Sequence, residues 1–545
     1  VAFERVLRDW LDERTLAKEP DLLVVDKPAR LPVHGGDVAL GEDLVGRLTA
    51  WLRASGEPTY LGVHQRLDRA ASGVILFTRS SRHNAEVARA FAEHTVERVY
   101  VAAVSGRPLP DTGELVHRLA VEKGRPTRVV DRGARLARAR YRVLARREDR
   151  ALVELRPATG RTHQLRAQLA AAGAPIAGDV LYGGAPATRL MLHATTLGVL
   201  GRRFVSPAPP ALGAWLDGRD GELGATAELA RALAEAAWLR APLARVTDAY
   251  RLVNGAGDGL PGIVVDRYGD HAVLALEGDA ALAREAELVA GVRGLDAASV
   301  HVRRHVRADL RRVDVGALAP RGAAAGVGPA GPLIVNERGL RLAVRLDGGL
   351  STGLFVDQRE NRALVRRLAA GGRFLNLFAY TGSFTVAAAA GGARATVSVD
   401  VSRAALTRAR ENLVINGLDG PAHALVKDDV VVWLRRARRR EERFDLIVLD
   451  PPSFGSARGR AGFTVSRDLV PVAAAALALL APGGRLLAVT NHRRTSPERL
   501  RRALHEAARA AGREVTALRD LPSGLDCPPG PEGPSPSKSA LVTVR

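Results

Sequence analysis

RFLNLFAYTGSFTVAAAAGGARATVSVD, residues 373–400, reads as a strand, a glycine-bearing turn, an Ala-rich helix closed by Gly391-Gly392, and a second strand. A helix linking two short strands is the crossover unit of a parallel sheet. Further along, ALTRARENLVING, FDLIVLD, a helix around 468–480 and GRLLAVT continue the alternation, so a doubly wound α/β domain is expected from about residue 346 onward. Sheets of this kind bind ligands at the carboxyl ends of their strands. The turn residues Asn376, Phe378, Tyr380, Gly382 and Ser383 are therefore candidates to hold a nucleotide-like cofactor. Asp400, ending ATVSVD, is placed to accept hydrogen bonds from ribose hydroxyls, and Asp429, ending ALVKDD, is placed near an adenine. FDLIVLD runs into Asp450, Pro451 and Pro452 of LDPPSF (449–454).

Ahead of this domain, YRLVNG, GIVVDRYG, HAVLALEG, ASVHVRR and LRLAVRL are strand-like, with a helix near 279–292, which predicts a small α+β domain over 247–345. VSPAPPALGAW (205–215) breaks regular structure, and ELGATAELARALAEAAWLR has apolar residues at helical spacing, so 216–246 reads as a linker with a helix. Residues 1–215 alternate short β-rich runs (LLVVD, GVILFT, VYVAAVSG, ALVELR) with turns and few helices, which predicts an α+β fold with a mainly antiparallel sheet.

The 545 residues carry a net charge of +21 and a pI near 11.1, an excess that is almost all arginine. Such a balance favours polyanionic partners, RNA first. No run of 18 apolar residues is present, so no membrane partner is expected. VAFERVLRDWLDERT lacks the apolar stretch of a secretory signal, and the expectation is a cytoplasmic protein. Cys527 is the sole cysteine and no Cys/His cluster has zinc spacing, so neither a disulfide nor a metal site is expected.

A second signature, HQRLDRAASG (64–73), centres on Asp68 between Arg66 and Arg69, a setting that suits a carboxylate acting as nucleophile or base. LLVVDKPARLPVHGG (22–36), RLDRAASGVILFTRS (66–80), ERVYVAAVSG (97–106), LVELRPATGRTHQLRAQL (152–169) and GDVLYG (178–183) follow in order. Together they resemble the RluA-type pseudouridine synthase family. The resemblance implies that Asp68 is the catalytic aspartate, that Arg161 pairs with it, and that Tyr100 packs against the target base. It implies a cofactor-free reaction on an RNA uridine flipped from its stack. The chain departs from the family pattern at Gln65, where a histidine is usual, and at Ala70-Ala71, where Asp-Thr is common.

Asp450-Pro451-Pro452 with Phe454 resembles the motif of S-adenosyl-L-methionine-dependent methyltransferases that modify nucleobases, in which the rigid backbone and the aromatic ring grip a flipped base. RLVNGAGDGLPGIVVDRYGD (251–270) and STGLFVDQRENR (351–362) resemble the RlmI/RlmK group of 23S rRNA methyltransferases. That resemblance implies a Rossmann-like class I methyltransferase fold with Phe355, Gln358 and Arg359 bordering the cofactor. Methylation at cytosine C5 needs a cysteine that adds to C6. Cys527 lies in a Pro-rich loop, and the segment after LLAVT is Thr490-Asn491-His492-Arg493-Arg494, closer to the RlmK-type domain that acts at guanine N7. The expected protein is a bifunctional rRNA-modifying enzyme working on 23S rRNA or a ribosomal assembly intermediate, with no DNA partner. The alternatives are an RNA-binding ribosome-assembly factor with only its methyltransferase half active, or methylation at another base position.

Overall fold

The computed structural model describes residues 10–35, 43–122, 125–305, 314–347, 349–452, 464–530 and 537–545. The chain forms two compact units, Val1–Pro242 with Gly255–Pro261 and Gly530–Glu532, and Leu243–Asn254 with Gly262–Pro529 and Gly533–Arg545.

The first unit is built on one sheet of β1 (Thr15–Lys18), β2 (Leu22–Lys27), β3 (Gly62–Val63), β4 (Ser72–Thr78), β5 (Glu97–Ser105), β6 (Thr112–Ala120), β7 (Arg128–Val130), β8 (Arg135–Arg147), β9 (Arg150–Pro157), β10 (Leu192–Val199) and β11 (Arg202–Val205). The order is β1-β2-β4-β10-β5-β9-β8-β6-β7, with β3 beside β4 and β11 beside β10. Among the described residues only β4 and β10 run parallel, so the sheet is mainly antiparallel, as the alternating β-rich runs predict. Gly73, at φ 118°, lets the start of β4 lie against β10, where a Cβ would stand 2.2 Å from the Ala194 carbonyl oxygen. That approach seats Ser72 Oγ 2.8 Å from His193 Nδ1.

Helices α1 (Leu44–Ala54), α2 (Asn84–Ala92) and α3 (Gln164–Ala171) join this sheet. Leu165 and Leu169 of α3 are buried with Val153 and Leu155 of β9, Ala139 and Tyr141 of β8 and Ala102 of β5. Gln168 holds the helix by donating to the Leu115 and Ala137 carbonyls at 3.0 and 3.1 Å. The helix expected within 216–246 is α4 (Thr226–Arg240), and it is part of the first unit. Its Trp238 stacks on Trp10 at 3.8 Å, and Arg47 of α1 donates to the Trp238 and Leu239 carbonyls.

The second unit begins with a five-stranded sheet, β12 (Ala249–Asn254), β13 (Ile263–Tyr268), β14 (His271–Glu277), β15 (Ser299–His305) and β16 (Ala325–Gly326), in that order. LRLAVRL does not join it: β18 (Leu340–Val344) pairs only with β17 (Leu333–Glu337) in a separate hairpin. The main sheet holds β19 (Arg373–Leu377), β20 (Ala395–Asp400), β21 (His423–Lys427), β22 (Phe444–Leu449), β23 (Leu480–Thr490), β24 (Val515–Leu521) and β25 (Lys538–Val544). Its order is β21-β20-β19-β22-β23-β25-β24, parallel except for β25. The strand order reverses between β19 and β22, so the loops after these two neighbours flank a switch point, where doubly wound sheets bind ligands. Helices α5 (Arg359–Leu368), α6 (Ser383–Ala390), α7 (Arg403–Val414), α8 (Val430–Arg439), α9 (Val465–Leu477) and α10 (Pro497–Ala510) cover the sheet.

Two candidate active sites

In the first unit, Asp68 occupies the turn just before β4, closed by the Ala71 amide donating to the Asp68 carbonyl at 3.1 Å. Tyr100, on β5, pairs with Ala194 of β10 and Leu155 of β9, which brings it to the same cavity as Asp68. This cavity measures about 900 Å³, and Arg161, His163 and Arg166 also line it. Burial raises the Tyr100 hydroxyl above its ordinary pKa, so the ring stays neutral.

The guanidinium that reaches Asp68 is that of Arg166, at 3.1 Å, and not that of Arg161. Arg166 lies inside α3, where it is also held by two hydrogen bonds to Asp179, at 2.7 and 2.8 Å. Arg161 precedes the helix, and its amide donates to Gln164 Oε1 at 3.0 Å. His163 stands between them in a left-handed conformation (φ 50°), which starts the helix later than the sequence suggests and turns Arg161 off the face that Arg166 presents. His163 Nε2 lies 3.9 Å from the second Asp68 oxygen, and its Nδ1 3.1 Å from the Tyr182 hydroxyl. Burial lowers the His163 pKa and keeps the ring neutral at pH 7. Arg69 donates to the Arg30 carbonyl, and among the described residues neither it nor Arg66 pairs with Asp68.

Sequence reasoning also missed Lys27. Its ammonium is fully buried and donates to the carbonyls of Pro28, Leu31 and Ala71 at 2.7 to 2.8 Å, tying the loop after β2 to the loop of Asp68. Burial pushes its pKa down to about 7, helped by Arg189 and opposed by Asp68. The departures in sequence also have places. His64 Nε2 is 3.0 Å from Thr78 Oγ1, and Ala71 is buried.

In the second unit, the turn after β19 holds Phe378 (φ 59°), Tyr380 (φ 50°) and Gly382 (φ 72°) in left-handed conformations. A side chain at Gly382 would meet the Ala409 Cβ of α7 at 2.8 Å. Tyr380 and Ser402 donate their amides to the two oxygens of Asp400, at 2.9 and 2.8 Å. Both carboxylate oxygens are thus fixed beside the turn while keeping lone pairs for a ligand. Asn376 lies beneath it, buried, donating to Thr385 Oγ1 at 3.0 Å. Ser383 opens α6. Phe355, half exposed, faces Tyr380 at 5.7 Å between ring centroids.

Three of the expected residues are held by protein partners. Arg359 is consumed by two hydrogen bonds to Asp526, at 2.8 and 2.7 Å, and is buried. Gln358 donates to Ser537 Oγ at 2.7 Å. Both belong to the start of α5, which brings them to Asp526 and Ser537 while leaving Phe355 at the β19 turn. Asp429 is the N-cap of α8, accepting from the Val432 amide at 3.0 Å, because β21 ends at Lys427.

Asp450 follows β22, whose Leu449 pairs with Leu377 of β19, so it stands beside the Phe378–Gly382 turn. Burial pushes its carboxyl up to about 7; the charge of Asp357 adds to this and Arg362 opposes it. Pro451 and Pro452 come next, and Phe454 lies outside the described residues. Cys527 is buried, and its thiol is raised far above the ordinary range by that burial and by Asp526, so it is held as the unreactive thiol. A fixed acid at the end of β20, a turn without side-chain bulk at Gly382 and an aromatic wall fit S-adenosylmethionine.

Comparison with known proteins divides the chain in the same way. Residues 21–171 match the model for RNA pseudouridylate synthase, and residues 326–530 match that for S-adenosylmethionine-dependent methyltransferase. Ribosomal RNA large subunit methyltransferase I of Klebsiella pneumoniae subsp. pneumoniae is 36% identical over 288 residues, 52% of this chain and 70% of the relative. The same enzyme of Salmonella enteritidis PT4 is 36% identical over 282 residues, 52% of this chain and 69% of the relative. Among solved structures, SMU.776, a methyltransferase complexed with SAH, aligns with a TM-score of 0.53 and 26% identity over 64% of this chain and 87% of that one. A methyltransferase from Streptococcus mutans aligns with a TM-score of 0.53 and 25% identity over 65% and 89%.

Proposed function

Because this chain belongs to the ribosomal RNA large subunit methyltransferase I family through its C-terminal half, and carries an RNA pseudouridylate synthase domain ahead of it, we propose that it converts a uridine of 23S rRNA to pseudouridine and methylates guanine N7 of the same RNA. The observation that carries the first activity is Asp68 facing a cavity of about 900 Å³ with one oxygen held by Arg166. In the isomerisation the C1′–N1 bond breaks, the uracil rotates, and a C1′–C5 bond forms. N1 gains a proton and C5 loses one, so no atom is added overall. Asp68 acts on the sugar, at C1′ or C2′, and Arg166 fixes its position. Tyr100 packs on the detached ring. Lys27 holds the loop that carries Asp68.

For methylation, Asp400 would hold the ribose of S-adenosylmethionine, with Phe355, Tyr380 and Gly382 around it. When bound, this cofactor supplies an electrophilic methyl group. Guanine N7 offers a lone pair and loses no proton on methylation, so the protein must only orient and desolvate the base. The Asp450 carboxylate suits the N1–H and N2–H donors of guanine, and Pro451-Pro452 fix the backbone next to it. The buried, un-ionised Cys527 supports a route without a covalent cysteine adduct.

Ribosomal RNA from a strain lacking the gene, incubated with the purified protein and labelled S-adenosylmethionine, tests this reading. Label should be recovered as 7-methylguanosine, with C527A within about twofold of wild type. Label in 5-methylcytidine that disappears in C527A would overturn it.

A further inference from the structure

Arg161 forms no ion pair among the described residues, and its Nε is buried without a hydrogen-bond partner. It stands between two cavities. Gly160, Arg161 and Thr162 line the cavity of Asp68, and the same three residues line a second, of about 580 Å³. That second cavity lies against the end of β6 and the start of β8, with Leu119, Val121 and Arg135 on its other walls. Val121 is 53% exposed there, an apolar side chain left facing the opening, and Arg135 is exposed as well.

A target uridine reaches Asp68 still attached to its neighbours through phosphates. A guanidinium that is paired with no carboxylate among the described residues and that lines both cavities is suited to the phosphate joining two nucleotides. The volume of the second cavity falls within the range of about 300–1,000 Å³ typical of small-ligand sites. Its apolar wall of Leu119 and Val121 suits a base face, since single-stranded RNA is bound through splayed, packed bases. We propose that Arg161 seats the phosphate next to the target uridine, and that the cavity bounded by Leu119, Val121 and Arg135 receives the adjoining nucleotide. This rests on the reading of the Asp68 cavity as a pseudouridine site. It gives the two arginines of 161–166 different tasks: Arg166 serves the reacting group and Arg161 the RNA backbone.

The test is steady-state pseudouridine formation by the full chain, on rRNA from a strain lacking the gene, over a series of salt concentrations. R161M should raise KM about tenfold with kcat within about twofold, and R161K should recover most of the loss. Each phosphate contact to a single strand contributes about 0.7 to the slope of log affinity against log salt, so the R161M slope should be shallower by about that amount. V121E, which places a carboxylate in the second cavity without touching Arg161, should also raise KM. Unchanged KM and salt slope in R161M, or a collapse of kcat at unchanged KM, would overturn the inference while the synthase reading stands. A wild-type protein that forms no pseudouridine overturns both.

Discussion

Asp68 and Arg166 meet because one residue closes a turn and the other rises from the first turn of a helix some hundred positions later. Arg166 keeps one N–H for Asp68 while Asp179 takes two others, so the carboxylate proposed to act on the sugar is held by an arginine that is itself immobilised. Asp179→Asn should therefore lower kcat for pseudouridine at least tenfold with little change in KM, measured on the same rRNA; equal activity would show that Arg166 needs no anchor. At the other site, Asp450 is neutral below about pH 7 and charged above it. If its carboxylate accepts the guanine N–H donors, methylation should fall as pH drops through 7, and D450N should be slow and flat across that range. A wild-type rate that is level from pH 6 to 8 would contradict this. Asp68, Asp400 and Asp450 were legible in sequence because each ends or precedes a strand whose pattern is plain, and Tyr100 because it lies within one. Arg166 was not, since the left-handed turn at His163 decides which arginine faces Asp68, and no periodicity in RTHQLRAQL records it. Arg359 was misplaced for a related reason, as its partner Asp526 lies 167 residues away.

At the scale of elements, α3 links core to site: Leu165 and Leu169 anchor the helix that carries Arg166. Leu169 is wholly buried, so Leu169→Ala should cost about 3 kcal/mol, read as a lower midpoint in urea unfolding. Loss of only a few tenths would mean that the helix is held by Gln168 instead. The β19–α6–β20 unit was readable from 373–400 because a strand period, a small-residue helix and a Gly-Gly stop follow one another without ambiguity. The hairpin β17–β18 was not separable from the neighbouring sheet, since LRLAVRL has the same alternation whichever strand it pairs with, and pairing is set by tertiary packing. Asp429 was placed at the end of ALVKDD, but a carboxylate there reads equally as a strand end or an N-cap, and its side chain on the Val432 amide makes it the cap of α8.

Across the whole molecule, the two units supply chemistries that share only a substrate class. Neither needs a residue of the other for the roles assigned here, and a net charge of +21 favours a common RNA partner. The same separation explains what the sequence could say about function: each half carries its own motif set, while the target nucleotides are chosen by surfaces that no short motif encodes. The most direct test is mass-spectrometric mapping of rRNA from a strain lacking the gene, complemented with wild type, D68A or D450A. The wild-type gene should restore one pseudouridine and one 7-methylguanosine in 23S rRNA, D68A only the methylation, and D450A only the pseudouridine. A full modification pattern in the deletion strain, or both marks lost in either variant, would contradict two independent activities on one RNA.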